Sequence, residues 1–108
     1  QLFASDPPDA VFVAYDHMAF AGMDVLRHEV GLRIPQDVSV VGYDDVPLAA
    51  WPAYDLTTVR QPSGRMAEAT AATMLHRIAA PDSAPDRVIL PSDLSVRGSA
   101  RVPEGWIP

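Results

Sequence analysis

The sequence predicts an α/β fold built around a parallel sheet. Two short apolar runs rich in β-forming residues, 10–15 (AVFVAY) and 38–43 (VSVVGY), flank a segment whose apolar residues follow helical spacing. A strand, a helix and a strand at this distance form a βαβ unit, in which the strands are parallel and the connection is almost always right-handed. The 108 residues leave room for one small domain at most.

The first strand and the helix after it are marked by their apolar pattern and their end residues. Because residues 10–15 show no polar alternation, we expect a strand that is buried on both faces. The helix is expected to begin at Asp16, since aspartate is a strong N-cap residue, and to end at Gly31, where a C-terminal cap belongs. Its apolar stripe consists of Ala19, Met23, Leu26 and Val30.

The second half of the chain is expected to continue the alternation of strands and helices. A third strand is predicted over 56–61, and Pro62 suits the first turn of a second helix. Two short strands, 88–90 and 94–96, follow a polar linker. The apolar stripe of the second helix consists of Ala67, Ala71, Met74, Leu75 and Ile78.

The composition excludes several classes of function. Acids outnumber bases by 14 to 8, for a net charge of −6, which argues against a nucleic-acid surface on this stretch because phosphate binding needs clustered cations. The absence of cysteine excludes disulfides, zinc–thiolate sites and cysteine nucleophiles. The sequence has no apolar run of about 18 residues, so we expect no membrane span. We also expect no metal and no cofactor.

Acidic and aromatic residues follow the first two predicted strands, where α/β sheets bind their ligands. A carboxylate accepts two hydroxyl donors at once, and an aromatic face covers the C–H side of a sugar ring. This combination is what a polyhydroxylated small molecule requires. The candidate binding residues are Tyr15, Asp16, Asp45, Trp51 and Tyr54.

Each candidate also has a purely structural interpretation. Asp16 could serve only as a helix cap, Asp45 with its neighbour Asp44 could be turn residues, and the aromatic residues of the loop over 44–55 could cover core. Catalysis has little support, because no Ser–His–Asp arrangement can be assembled around His17. The sequence therefore predicts no catalytic residue and no enzyme.

Four stretches that occur in a fixed order carry a family resemblance. They are AYDHMAFAG (14–22), GLRIPQDVSVVGYDD (31–45), LTTVRQP (56–62) and the residues Leu-Pro, Leu and Val-Arg-Gly-Ser within 90–99. Together they resemble the C-terminal part of the effector-binding core of bacterial transcriptional regulators of the lactose-repressor (LacI/GalR) family. The resemblance implies a periplasmic-binding-protein-like fold of type I, a three-layer parallel α/β sheet, of which this chain is only the C-terminal portion.

The two-lobed core of that family implies an organisation for this chain. Residues 1–57 would form a portion of the C-terminal lobe, and 58–80 a crossover strand and helix of the N-terminal lobe. Residues 81–100 would return to the C-terminal lobe, and 101–108 would be a tail. Because the chain does not open with Met, we expect a piece of a longer protein. A sheet cut in this way leaves apolar surface uncovered, so we expect that this chain either associates with another copy or is a surviving piece of a larger folded protein.

The resemblance also implies a function. A small-molecule effector, a sugar or sugar derivative, would bind in the cleft between the lobes and alter operator binding by a homodimer in the cytoplasm. Operator DNA would be contacted only through an N-terminal domain outside this chain, and no membrane would be involved. The alternative is a periplasmic sugar-binding protein of a transport system, with the same two-lobed fold. A third class, an α/β enzyme, has the least support.

Within the family, the aspartate that matches Asp16 contacts the effector, and Trp51 is the nearest match to an aromatic residue of the cleft. The chain departs from the family pattern at Tyr15, which replaces a small polar residue, and at Asp55, which replaces a proline. We expect Asp16→Ala to abolish ligand binding and to leave the fold largely intact. An Asp16 carboxyl group sealed inside the protein, far from any opening, would contradict an effector-sensing account based on this residue and leave only the architecture.

Overall fold

The computed structural model describes residue 3 and residues 5–106. The described chain divides into two compact units. The first contains the residues up to Arg60 together with those from Leu94 onwards, and the second contains Gln61–Asp93. The predicted change of lobe at residue 58 and the return after 81 remain predictions, as does the tail, whose last two residues lie outside the described part.

The sheet contains four strands in the order β1-β2-β3-β4. β1 pairs with β2, and β2 pairs with β3, in both cases in parallel, so the predicted βαβ unit is confirmed. The register brings Phe12 opposite Val41 and Asp44 opposite Arg60. The strands are β1 (Ala10–Phe12), β2 (Ser39–Asp44), β3 (Thr57–Arg60) and β4 (Asp93–Ser95).

The helix between β1 and β2 covers the predicted segment. α1 (Asp16–Val25) continues into a π-helical turn, Leu26–Val30. Gly31 then adopts the left-handed conformation with φ 81° and caps the end, as predicted. Val30 leaves the predicted apolar stripe and is 42% exposed, because the spacing of an α-helix no longer holds in a turn with i→i+5 bonds.

The core of the first unit lies between α1 and the sheet. Ala19 and Met23 of the predicted stripe have no exposed surface. Full burial of a large apolar side chain such as that of Met23 contributes about 1.5–3 kcal/mol. The core consists of Ala19, Phe20, Met23, Leu26, Val38, Val40, Ala49 and Leu56.

β1 is not buried on both faces, which corrects the sequence prediction. It is only three residues long and Phe12 is 62% exposed. β1 is an edge strand that pairs on one side only, with β2, among the described residues. Val11 and Val13 pack against the core, whereas Phe12 between them is left exposed.

The second unit is built on one helix. α2 (Ser63–Ala79) follows Pro62, which occupies the position before its first turn. Its apolar stripe is exposed, at 58% for Met74 and 69% for Ile78. The prediction of a strand over 88–90 is wrong. A strand forms only where its backbone pairs with a neighbour, and among the described residues α2 is the one regular element of this unit before β4 begins at Asp93.

Candidate functional site

Three side chains of different chemistry stand at the carboxyl ends of neighbouring strands in the first unit. Tyr15 lies three residues beyond Phe12, and Asp44 lies three residues beyond Val41, the partner of Phe12. Asp44 is in turn the register partner of Arg60. Tyr15, Asp44 and Arg60 are all exposed. Neighbouring strands are about 4.8 Å apart, so a phenol, a carboxylate and a guanidinium stand side by side at the ends of three adjacent strands. We call Tyr15, Asp44 and Arg60 the strand-end row.

The chain turns sharply where β2 ends. Asp44 and Asp45 have φ values of 138° and 59°, in the region that residues other than glycine rarely adopt. Aspartate tolerates this region better than most residues because its short side chain can bond locally. The interpretation of both aspartates as turn residues therefore agrees with the backbone. The turn leaves Asp44 exposed and directs the side chain of Asp45 inwards, where it is 6% exposed.

Asp16 lies at the first position of α1 and has no exposed surface. Its Oδ1 accepts a hydrogen bond from Thr58 Oγ1 at 2.6 Å, and its Oδ2 accepts one from the Val46 N–H at 3.0 Å. Tyr15, not Asp16, occupies the N-cap position, and its side chain makes no capping bond. The interpretation of Asp16 as a simple cap is therefore wrong.

The same burial removes Asp16 from the direct ligand contacts, so the account of sensing through contact with Asp16 is not retained. A side chain without exposed surface cannot touch a ligand unless its bonds to Thr58 and Val46 open. The expectation that Asp16→Ala leaves the fold largely intact is also corrected, because that change would leave a buried hydroxyl and a buried N–H without their acceptor.

The Asp45 carboxylate is likewise bonded within the protein. Arg97 Nη2 lies 2.8 Å from its Oδ1. Its Oδ2 accepts from Ser95 Oγ at 3.1 Å and lies 3.4 Å from Arg60 Nε. Arg97 also donates to the Leu56 carbonyl at 2.9 Å. With three protein partners, Asp45 joins the ends of three strands and is not retained as a direct ligand contact.

The two aromatic residues of the loop have different surroundings. Trp51, directly after the 3-10 turn Pro47–Ala50, is 60% exposed. The Tyr54 ring instead packs on Phe20 of α1 with the ring centres 4.4 Å apart, and its hydroxyl donates to Asp24 at 3.2 Å. Asp24 lies eight residues after Asp16, about 12 Å along the helix.

Tyr54 therefore belongs to the contact between the loop and α1, and the structure favours the interpretation that its ring covers core. Its partial burial raises the pKa of the phenol above the ordinary tyrosine value. The negative charge of Asp24 and the hydrogen bond to it raise this pKa further, whereas Arg27 lowers it. Arg27, in the π-helical turn that follows α1, also donates to the Ala53 carbonyl at 2.6 Å, so that Asp24 and Arg27 together hold the loop.

The second departure from the family pattern has a structural reason. Asp55 adopts a left-handed backbone with φ 44°, which proline cannot adopt because its ring holds φ near −65°. The Asp55 carboxylate accepts the Gly98 N–H at 3.0 Å. A side chain at Gly98 would overlap that carboxylate. Just before β3, Asp55 therefore combines a turn that excludes proline with a bond to Gly98.

Sequence reasoning placed Asp44 at the end of the second strand but did not select it as a binding residue, and it missed Arg60. The rule that selected Asp16, that a polar residue follows the carboxyl end of a strand, applies equally to both. Arg97 and Thr58, which bind the two buried carboxylates, gave no comparable signal, because their partners are 52 and 42 positions away in the chain. Within residues 5–106 no group of three or more potential metal ligands comes together. No helix in the described chain has the length and apolar character needed to cross a membrane.

The family model for the periplasmic binding protein-like domain matches residues 1–100. This chain belongs to the periplasmic binding protein-like domain family. The ribose operon repressor of Escherichia coli K12 is 39% identical to it over 93 residues, which are 86% of this chain and 28% of that protein.

Solved structures of transcriptional regulators are also similar to this chain. A CelR–cellobiose complex superimposes with a TM-score of 0.76 at 41% identity, over 85% of this chain and 28% of that one. A dimeric Lac repressor does so with a TM-score of 0.73 at 31% identity, over 90% of this chain and 35% of that one. The resemblance to the C-terminal part of the LacI/GalR core is thus confirmed, and the chain spans about a third or less of the length of these relatives.

Proposed function

We propose that this chain is the C-terminal part of the sensing core of a bacterial transcriptional regulator, and that the core binds a sugar-like effector. The observation that carries the proposal is the strand-end row, in which Tyr15, Asp44 and Arg60 are exposed at adjacent strand ends. The relatives are named as repressors and regulators, and one of the similar structures is a complex with cellobiose.

The chemistry of the row suits an uncharged, hydroxylated ligand. The Asp44 carboxylate can accept hydrogen bonds from two hydroxyl groups, and the Arg60 guanidinium can donate to hydroxyl oxygens. The Tyr15 and Trp51 rings, 49% and 60% exposed, offer apolar faces for the C–H side of a sugar ring. Tyr15 and Trp51 remain ligand predictions from the sequence. To them we add Asp44, which the sequence analysis weighed as a turn residue, and Arg60.

Effector sensing requires that the ligand bind two arrangements of the whole core with different affinity. The ligand can shift the equilibrium only by that difference. In the full regulator, the shift would change operator binding through a DNA-binding domain outside this chain. We further propose that the regulator acts as a homodimer, as the similar Lac repressor structure is named dimeric, and that it works in the cytoplasm.

The regulator is favoured over a periplasmic transport protein because the relatives compared above are named as repressors and regulators of transcription. The same names favour a role without catalysis. No finding favours a metal or a cofactor, and the proposal needs neither.

Calorimetric titration of the full reading frame that contains this sequence tests the proposal. Cellobiose and ribose serve as probes, and operator release is followed in parallel. We expect Asp44→Asn to weaken binding of the preferred sugar about tenfold or more, since hydrogen bonds to a charged group contribute about 1.5–3 kcal/mol. Asp82→Asn, an exposed acid of the second unit, is the matched control. Binding that is equally strong in both variants would refute the role of the strand-end row.

A further inference from the structure

The buried carboxylate of Asp16 joins separate segments of the first unit. It lies at the start of α1, accepts the Val46 N–H from the loop after β2, and accepts the Thr58 hydroxyl from β3. A fully buried ionisable group is costly unless it is well hydrogen-bonded. The ligand contacts proposed above do not use this group, so its burial calls for another explanation.

β2 leaves space for this carboxylate. A Cβ atom added at Gly42 would overlap Asp16 Oδ1 and would lie 2.9 Å from Leu56 Cδ2. Gly42 has no positive φ among the described backbone angles, so it is not required for a turn. The absence of a side chain at this position allows the carboxylate to lie against the strand.

The partners of the carboxylate are close in the chain to the strand-end row. Val46 follows Asp44 by two residues, and Thr58 precedes Arg60 by two residues. Tyr15 is the residue directly before Asp16. A displacement of the carboxylate would therefore move all three members of the row relative to each other.

We propose that Asp16 is a positioning residue, which sets the spacing of Tyr15, Asp44 and Arg60 through its bonds to Val46 and Thr58 and does not touch the effector. This inference rests on the proposed function for its consequence in binding, but the link itself can be measured without a ligand. It assigns Asp16 a role distinct from both a helix cap and a sugar contact.

Hydrogen exchange of the full reading frame that contains this sequence, followed by NMR, tests the link. The amide of Val46 is compared with that of Val40, which donates to the Ser99 carbonyl at 2.9 Å in the core. Thr58→Val removes the hydroxyl with little change in shape, and Thr58→Ser keeps it. Thr70→Val removes a hydroxyl that donates to Met66 within α2 at 2.7 Å and is the matched control.

We expect Thr58→Val to accelerate exchange at Val46 about tenfold relative to Val40, because a carboxylate that loses one buried donor shifts towards other partners. Thr58→Ser and Thr70→Val should leave this ratio within about twofold of the original chain. A purely structural role of Thr58 would accelerate both amides equally, and that result would overturn the proposal. If Thr58→Val fails to fold, Asp16→Asn is measured instead. The asparagine can keep both hydrogen bonds when the Thr58 hydroxyl accepts from its amide N–H instead of donating. An unfolded Asp16→Asn would also overturn the proposal.

A second measurement uses tryptophan emission and sugar binding. In the full reading frame, the difference in emission between the original protein and its Trp51→Phe variant gives the contribution of Trp51. We expect Thr58→Val to shift this Trp51 emission and to weaken cellobiose or ribose binding about tenfold, with rescue by Thr58→Ser. If neither sugar binds the full reading frame while the exchange ratio changes as stated, the proposed sensing of these sugars fails and the link stands. If a sugar binds and Thr58→Val changes neither the ratio nor the affinity, the link alone fails.

Discussion

The two arginines that face Asp45 provide a sharp test of how this site is held together. Both guanidinium groups lie beside the same carboxylate, which is 6% exposed. Arg97 is 21% exposed and lies at 2.8 Å, whereas Arg60 is 70% exposed and lies at 3.4 Å. The two variants to compare are Arg97→Met, which removes the charge and keeps an apolar stem, and Arg60→Met, which does the same at the exposed position.

The expected costs differ because of solvent. Removing one partner of a buried ion pair costs about 3–5 kcal/mol. Since Arg97 retains some contact with water, we expect about 2–4 kcal/mol for Arg97→Met, including the bond it donates to the Leu56 carbonyl. An exposed pair contributes about 0–1 kcal/mol, so Arg60→Met should cost no more than that.

Urea unfolding followed by circular dichroism measures both costs. The free energy of unfolding falls linearly with urea concentration, so a lower midpoint with an unchanged slope reports lost stability. Arg97→Met should lower the midpoint clearly, and Arg60→Met should leave it almost unchanged. Equal costs for the two variants would refute the conclusion that Asp45 depends on burial beside Arg97.

Two further predictions follow from the same contacts. Gly42→Ala should destabilise the chain by about 1–3 kcal/mol through overpacking. The cost should be smaller in an Asp16→Ala background, because the overlap with Asp16 Oδ1 is then absent. Urea midpoints of the original chain, the two single variants and the double variant measure this coupling, and additive costs would contradict it. Asp24→Asn should lower the pKa of Tyr54 towards the ordinary tyrosine value, which absorbance titration with Tyr54→Phe as reference measures. An unchanged Tyr54 titration in Asp24→Asn would contradict the assigned contact. Because folding raises the pKa of Tyr54, its contribution to stability is fully present below pH 10 and is lost as the pH rises through the folded-state pKa.

The sequence predicts the elements well because their signals are local. The apolar run before Asp16, the helical stripe through Ala19 and Met23, and the left-handed cap at Gly31 all depend on neighbouring residues. The length of β1 and the absence of a strand over 88–90 could not be predicted in this way, because they depend on whether another segment of backbone is present to pair with them.

The candidate site was harder to predict than the fold. A carboxylate at a strand end looks the same in sequence whether it faces solvent, as Asp44 does, or protein, as Asp16 and Asp45 do. The difference is made by Thr58 and Arg97, which lie more than 40 positions away in the chain and meet these carboxylates only after the strands have paired. The resemblance to the family supplied a role for Asp16 that the packing of this chain does not allow it to perform directly.

Chemical-shift mapping with cellobiose and ribose tests the central claim most directly, since it reports which residues a bound sugar reaches. The strand-end row predicts that the largest changes on titration occur at Tyr15, Asp44 and Arg60 and at the indole of Trp51. Residues 33–37, which carry the exposed Arg33–Asp37 pair, should not respond. Changes confined to residues outside the carboxyl ends of the strands would contradict the account.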